Sequence, residues 1–155
     1  MFRAPLRPAP QAVPFALLAL LLAAPAWASH KETPATLKGV SVVSAEKARE
    51  LAAAGAMMVD TRVANEFAEG HISGAVSIVY KEKSSKATGF DASQDAFDVQ
   101  KLPADKRAAL IFYCNGAECW KSYKASVAAL KAGHKAIHWL RGGFPEWKSK
   151  GFSVE

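Results

Sequence analysis

Two thiols, Cys114 and Cys119, stand five positions apart in the run FYCNGAECWKSYKASVAALKAG (Phe112–Gly133), and the chain has no other cysteine. Such a pair can hold a metal, close a disulfide, or set a nucleophilic thiol beside a partner. The metal reading rests on the pattern Cys114, Cys119, His134, His138, which spells C-x4-C-x14-H-x3-H. It fails on geometry. A zinc finger needs both histidines on one helix. Here Gly133 ends the helix before His134, and His138 falls inside a strand-like run. The expected metal ligands are therefore none, and no cofactor is expected.

Position favours a nucleophile. Cys114 follows the apolar run ALIFY (Ala109–Tyr113) and precedes a helix-like segment. In an open parallel sheet the carboxyl ends of strands are where ligands bind. A loop leading into a helix N-terminus directs backbone N–H groups and the helix dipole toward negative charge. A thiol there is expected to have a lowered pKa and to be partly thiolate at neutral pH. The loop Asn115, Gly116, Ala117, Glu118, Cys119, Trp120 and Lys121 is the expected anion or substrate cradle, and Asn115-Gly116 permits a tight curl around the sulfur.

The elements that must position this loop are legible as alternating short apolar runs and helical patterns. Strands are expected at Val40–Val43, Ala56–Val59 (ending at Asp60), Ala75–Val79, Ala109–Tyr113 and Ala136–Leu140. Ser44 can cap a helix whose inner face is Ala45, Ala48, Leu51 and Ala52, closed by Gly55. Asn65–Glu69 can form a short helix. Trp120, Tyr123, Val127 and Leu130 make an apolar stripe at helical spacing, closed by Gly133 and read as core. Trp139, Phe144 and Trp147 are read as core or sheet cover. The polar segment Lys81–Lys101 is expected to be a surface loop with a short helix. Strand–helix alternation implies a mostly parallel sheet covered on both faces.

The N-terminus carries Arg3 and Arg7, then the apolar run Val13–Ala26 and the small-residue site Ala26-Trp27-Ala28. This pattern is that of a secretory signal peptide over residues 1–28, with Ser29 as the first retained residue. The expected location is exported and periplasmic, with no stable membrane insertion after cleavage. No cysteine lies at the cleavage site, which excludes acylation there. Residues 29–38, polar and carrying Pro34, are expected to be a flexible lead-in to one domain over 39–155. Loss of Arg3 and Arg7 lowers the net charge from +6 to +4. The basic residues are scattered and an exported chain has little access to nucleic acid, so no nucleic-acid partner is expected.

The stretches VDTRVANEFAEGHISGAVSI (Val59–Ile78), LPADKRAALIFYC (Leu102–Cys114) and LKAGHKAIHWLRGGFPEWKSKGFSVE (Leu130–Glu155) together resemble a rhodanese-type sulfurtransferase domain. The Asp-x-Arg, Gly-His-Ile-x-Gly-Ala and Gly-Gly-x-x-x-Trp elements occur in that family's order. The resemblance implies an α/β, rhodanese-like fold: a central, mostly parallel five-stranded sheet with helices on both faces. It implies that Cys114 is the nucleophile, carrying sulfane sulfur as a persulfide, and that the following loop cradles an anion. It assigns Asp60, Arg62, Glu66 and His71 supporting, scaffold roles. One departure stands out. Family loops usually place an arginine five or six positions after the cysteine. Here the fifth position is Cys119, and Lys121 falls near the arginine's place. The sequence leaves open a longer loop or a longer helix. A lysine is a point charge without the guanidinium fork, which disfavours the phosphatase-like and arsenate-reductase-like relatives.

Three functional readings follow. In the first, an exported sulfurtransferase takes sulfur from a small anionic donor (thiosulfate or a persulfide) and passes it to a thiol or other nucleophilic acceptor. Cys119 is then a candidate resolving cysteine, and Lys121 and Arg141 are candidate attractors of the donor. In the second, Cys114 and Cys119 form a redox or structural disulfide. Four intervening residues can bring two Cα atoms within the roughly 4.4–6.8 Å required, an oxidising compartment favours the bond, and a reductant partner is then needed. In the third, the domain is a non-catalytic module that binds an anion or a partner.

Overall fold

The computed structural model describes residues 31–155; the expected signal peptide lies outside the described residues. Five strands form one sheet: β1 (Ser41–Val42), β2 (Met57–Asp60), β3 (Val76–Ser77), β4 (Leu110–Tyr113) and β5 (Ile137–Leu140). Their order is β1-β5-β4-β2-β3, and every pairing is parallel. The fold is the expected α/β architecture. Its edge strands, β1 and β3, are shorter than the apolar runs that announced them, since each has a partner on one side only.

The pleat of β4 divides the core. Leu110 and Phe112 face a layer with Val59, Ile78, Ala125, Ala129 and Ile137. Ile111 and Tyr113 face the opposite layer with Ala45, Ala48, Met58, Leu140 and Trp147. This is the period-two alternation of a strand buried on both sides. Helix α1 (Ala45–Ala53) covers the second face. Its N-cap is Ser44, whose hydroxyl accepts from the Lys47 amide at 3.3 Å. Helix α2 (Ala64–Glu69) is the short helix expected after β2.

Helix α3 (Trp120–Lys131) covers the first face. Its buried side is wider than the apolar stripe predicts: Ser122, Lys124 and Ser126 are buried with Trp120, Tyr123, Ala125 and Ala129, while Val127 and Leu130 are half-buried. Helix α4 (Gly143–Ser149) has no counterpart in the sequence reading, because Gly142, Gly143 and Pro145 look like loop. Pro145 falls in the first turn, where a missing N–H leaves no intrahelical bond unmade.

Of two polar segments, the first differs from expectation. Residues 31–38, read as a flexible lead-in, are docked: Thr33 is 2% exposed, and its N–H and hydroxyl both donate to the Ala117 carbonyl. The Lys81–Lys101 connection is ordered by a Lys81–Ala96 bridge and two short 3₁₀ turns, Ala92–Gln94 and Val99–Lys101. Polar bonds to distant residues join isolated apolar anchors (Leu37; Phe90, Phe97 and Val99) in holding both segments, so apolar periodicity carries no trace of either.

Candidate functional site

Cys114 lies at the carboxyl end of β4, the middle strand of the sheet. The loop runs from Asn115, and α3 begins at Trp120, with Cys119 at its N-cap. Lys121 is thereby in the first helical turn. Cys114 and Cys119 are joined in a disulfide, with Cα atoms 6.1 Å apart. The two sulfurs have different surroundings. Cys114 is 1% exposed, whereas Cys119 is half-buried and lines a cavity of about 290 Å³.

The loop is a tight curl. Gly116 has φ +119°, a conformation that side chains disfavour, and the Cys119 amide donates back to the Gly116 carbonyl at 3.0 Å. The amides of Asn115, Gly116, Ala117 and Glu118 donate to no acceptor among the described residues. Four successive main-chain donors are therefore without a partner among the described residues, and successive amides of this kind are a common means of binding an anion. Three carbonyls here are occupied, that of Gly116 among them. That of Cys114 accepts from the Phe144 amide at 2.8 Å, and that of Ala117 accepts from Thr33. Gly143, at φ +64°, presses on this loop, and a Cβ there would overlap the Cys114 carbonyl and the Gly116 amide. The Gly-Gly element was visible in the sequence, but its contact with the cysteine loop was not.

Beneath the loop lies a buried polar lattice. Arg62 Nε and Nη2 donate to both oxygens of Asp60, and Nη2 also donates to the Gly70 carbonyl at 2.7 Å. Tyr113 Oη donates to Asp60 Oδ2 at 2.6 Å and accepts from the Ile72 amide at 3.2 Å. Burial, and then the charge on Asp60, push the Tyr113 hydroxyl well above its ordinary range, so it remains a donor. Glu66 accepts from Asn115 Nδ2 and from the Val63 amide, which ties α2 to the cysteine loop. His71 Nδ1 lies 3.0 Å from the Phe67 carbonyl, the ring stacks on Phe67, and Nε2 is 3.5 Å from Glu155. The four residues expected as scaffold thus connect β2, α2 and the C-terminus. Of these, Glu66 alone reaches the cysteine loop directly. Tyr113 joins this lattice although no motif singled it out.

The candidate cations divide. Lys121 lines the cavity with Cys119, together with Glu82, Lys86, Asn115, Glu118 and Trp120. Arg141 is committed elsewhere. Its Nε donates to Thr33 Oγ1 and the Pro34 carbonyl, and its Nη2 to the Thr33 carbonyl and to Glu32. It clamps residues 32–34 and does not serve as a free anion attractor. The Trp120 indole is buried against Tyr123, and its Nε1–H donates to the Lys31 carbonyl at 2.7 Å. Its ring is core; its contribution to the loop is its place at the first turn of α3. The histidines of the metal-like spacing are dispersed, His138 within β5 and His134 buried with Nε2 3.2 Å from Lys106 Nζ. Burial, then Lys106, lowers the His134 pKa.

A second polar centre flanks the cavity and had no signal in the sequence. Lys124, fully buried, donates to Ser84 Oγ at 2.8 Å and the Ser84 carbonyl at 3.2 Å, and sits 3.0 Å from Glu82 and 3.7 Å from Asp95. Asp95 also accepts from Tyr80 Oη, Ser84 Oγ and the amides of Lys83 and Ser84. Burial pulls the Asp95 carboxyl up, but the Ser84 hydroxyl and the surrounding donors hold it well below the usual range. This centre fastens the long connection to α3.

The rhodanese-like domain family matches residues 44–150, more than half of the chain. Thiosulfate sulfurtransferase 16, a chloroplastic protein of Arabidopsis thaliana, is 28% identical over 115 residues, covering 74% of this chain and 92% of that protein. Among solved structures, the BH2092 protein of Bacillus halodurans superposes with a TM-score of 0.55 at 22% identity, over 74% of this chain and 76% of the other. A thiosulfate sulfurtransferase of Pseudomonas aeruginosa does so with a TM-score of 0.55 at 23% identity, over 75% of this chain but 20% of its own. These two likenesses are of fold. With Cys114 at the end of β4 and the loop curled after it, the chain belongs to the rhodanese-like domain family.

Proposed function

We propose that the reduced protein is a sulfurtransferase in which Cys114 carries the sulfur. The observation that supports this most directly is the loop after β4, where the Cys114 sulfur precedes four main-chain amides with no acceptor among the described residues. Such donors favour a thiolate, a bound anion and a persulfide alike. The Cys114 thiolate attacks the outer sulfur of an anionic donor such as thiosulfate. The donor's S–S bond breaks, and sulfite leaves with the bonding pair. The resulting persulfide then yields its outer sulfur to a thiol or other nucleophile, and the Cys114 thiolate returns. A thiosulfate sulfurtransferase among the relatives adds weight at the level of the family.

Cys119 supplies an exit from this cycle. Its thiolate attacks the inner sulfur of the persulfide, hydrosulfide leaves, and the Cys114–Cys119 disulfide forms. The disulfide present in the structure favours this second, redox reading as a companion to the first. We further place the protein outside the cytoplasm, on the strength of Arg3, Arg7, the apolar run and the Ala26-Trp27-Ala28 site. There an oxidised resting state is the expected one.

The deciding experiment is intact-mass measurement of the reduced protein after thiosulfate or an organic persulfide. The expected product gains one sulfur at Cys114. A protein that gains none with any donor is no sulfurtransferase. N-terminal sequencing of the exported product should begin at Ser29, and retention of residues 1–28 would refute cleavage.

A further inference from the structure

The disulfide must be opened before Cys114 can accept sulfur, and its two ends are not equivalent. Cys114 is 1% exposed, while Cys119 lines the cavity between Lys121, Lys86, Asn115 and Glu118. At about 290 Å³ that cavity has room for an incoming cysteine side chain. A larger hollow of about 710 Å³ lies off Ser77–Lys81 and touches neither sulfur. Leaving ability points the same way. In thiol–disulfide exchange the better leaving sulfur is the one whose thiolate is more stable. Cys114 is followed by the amides of Asn115–Glu118, which have no acceptor among the described residues and are the kind of donor that stabilises a thiolate.

We propose that the disulfide is opened at Cys119, by a reductant carrying two thiols whose leading thiolate enters this cavity. That thiolate attacks Cys119 Sγ. The Cys114–Cys119 bond breaks, its electron pair stays on Cys114, and a mixed disulfide joins Cys119 to the reductant. The reductant's second thiolate then attacks its own bridging sulfur and releases Cys119 as a thiolate. The reductant leaves as a disulfide, two electrons poorer, and both protein cysteines are reduced. A dithiol is required because the freed Cys114 thiolate competes for the same bond. With Cα atoms 6.1 Å apart, ring reclosure is intramolecular and outruns a second monothiol arriving from solution. The cavity's charges, Lys86 and Lys121 against Glu82 and Glu118, select no sign of partner.

This inference rests on Cys114 as sulfur carrier for its purpose, but its test does not. Oxidised protein, shown to have no titratable thiol, is mixed with a CxxC dithiol protein whose second cysteine is serine, or in parallel with glutathione. At short times each arm is quenched with excess N-ethylmaleimide, which traps the freed sulfur and prevents reclosure. Fragment-ion mapping then locates each group. The expected result is at least tenfold more mixed disulfide on Cys119 than on Cys114, with the maleimide on Cys114. The reverse pattern, an even mixture, or a disulfide that resists both thiols would overturn the proposal. With unmodified reductants, the dithiol should yield fully reduced protein at concentrations where glutathione does not; equal yields would remove the need for two thiols. Sulfur uptake by the reduced protein is measured separately, so failure of either reading leaves the other standing.

Discussion

The cysteine loop and the Lys124 centre flank one cavity and have opposite polar economies. Around Lys124 nearly every group is answered: the ammonium has Ser84, Glu82 and Asp95, Asp95 has four further donors, and only Glu82 Oε2, paired in charge with Lys124, makes no hydrogen bond among the described residues. In the cysteine loop the Gly116 and Ala117 carbonyls are used, and the four amides of Asn115–Glu118 have no acceptor among the described residues. A saturated buried network fixes a conformation and has nothing left to offer a ligand. Unanswered amides at the end of a strand lower local stability but keep a place for charge that arrives later. The first is how a long polar connection is held to a helix; the second is what a reaction needs.

The sharpest way to break this contrast is Cys114→Ser. It should abolish sulfur uptake while leaving the urea midpoint of the reduced protein nearly unchanged, and Cys119→Ser should retain the first half-reaction. Uptake by Cys114→Ser would place the chemistry elsewhere. The converse substitution is Lys124→Met, which leaves Glu82 and Asp95 buried without their cation. It should cost about 3–5 kcal/mol in urea denaturation, and a loss under about 1 kcal/mol would mean the pair is solvated. Gly143→Ala forces a Cβ into the Cys114 carbonyl at a positive φ. We expect about 3 kcal/mol of destabilisation and slower sulfur uptake, since the cysteine loop must shift. Unchanged kinetics would detach α4 from the site.

Smaller effects sharpen the comparison. Reducing the disulfide should lower stability by about 2 kcal/mol, as the closed loop is short. No change would mean that the unanswered loop is held by Thr33, Phe144 and Asn115 alone. Acid should act on the saturated centre. The Asp95 pKa lies below its ordinary value of 3.8 when folded, so its contribution is fully present above pH 3.8 and is lost as pH falls from there toward the folded value. Asp95→Asn should flatten that acid limb of the stability curve, whereas Cys114→Ser should leave it intact. An unaltered limb in Asp95→Asn would assign acid sensitivity to other carboxylates.

What could be read from the chain follows the same division. The core strands announced themselves because β2, β4 and β5 are paired on both sides and so read as unbroken apolar runs. Ser44 and the Ala45–Ala48 face located α1. Helix α4 was hidden by glycines and a proline that suit its first turn. Arg141, read as a candidate donor attractor, turned out to clamp Thr33 and Pro34, because hydrogen-bond partners more than a hundred positions apart leave no local pattern.

By itself the sequence determined the five strands, helices α1 to α3 and the thiol at a strand end, for these depend on periodicity and on motifs a few residues long. Only the tertiary structure decided which sulfur is covered and which meets the cavity, that residues 31–38 brace the loop, and that Lys124 is buried. Those outcomes depend on which distant polar groups meet, and a meeting across the sheet is a property of the packed chain.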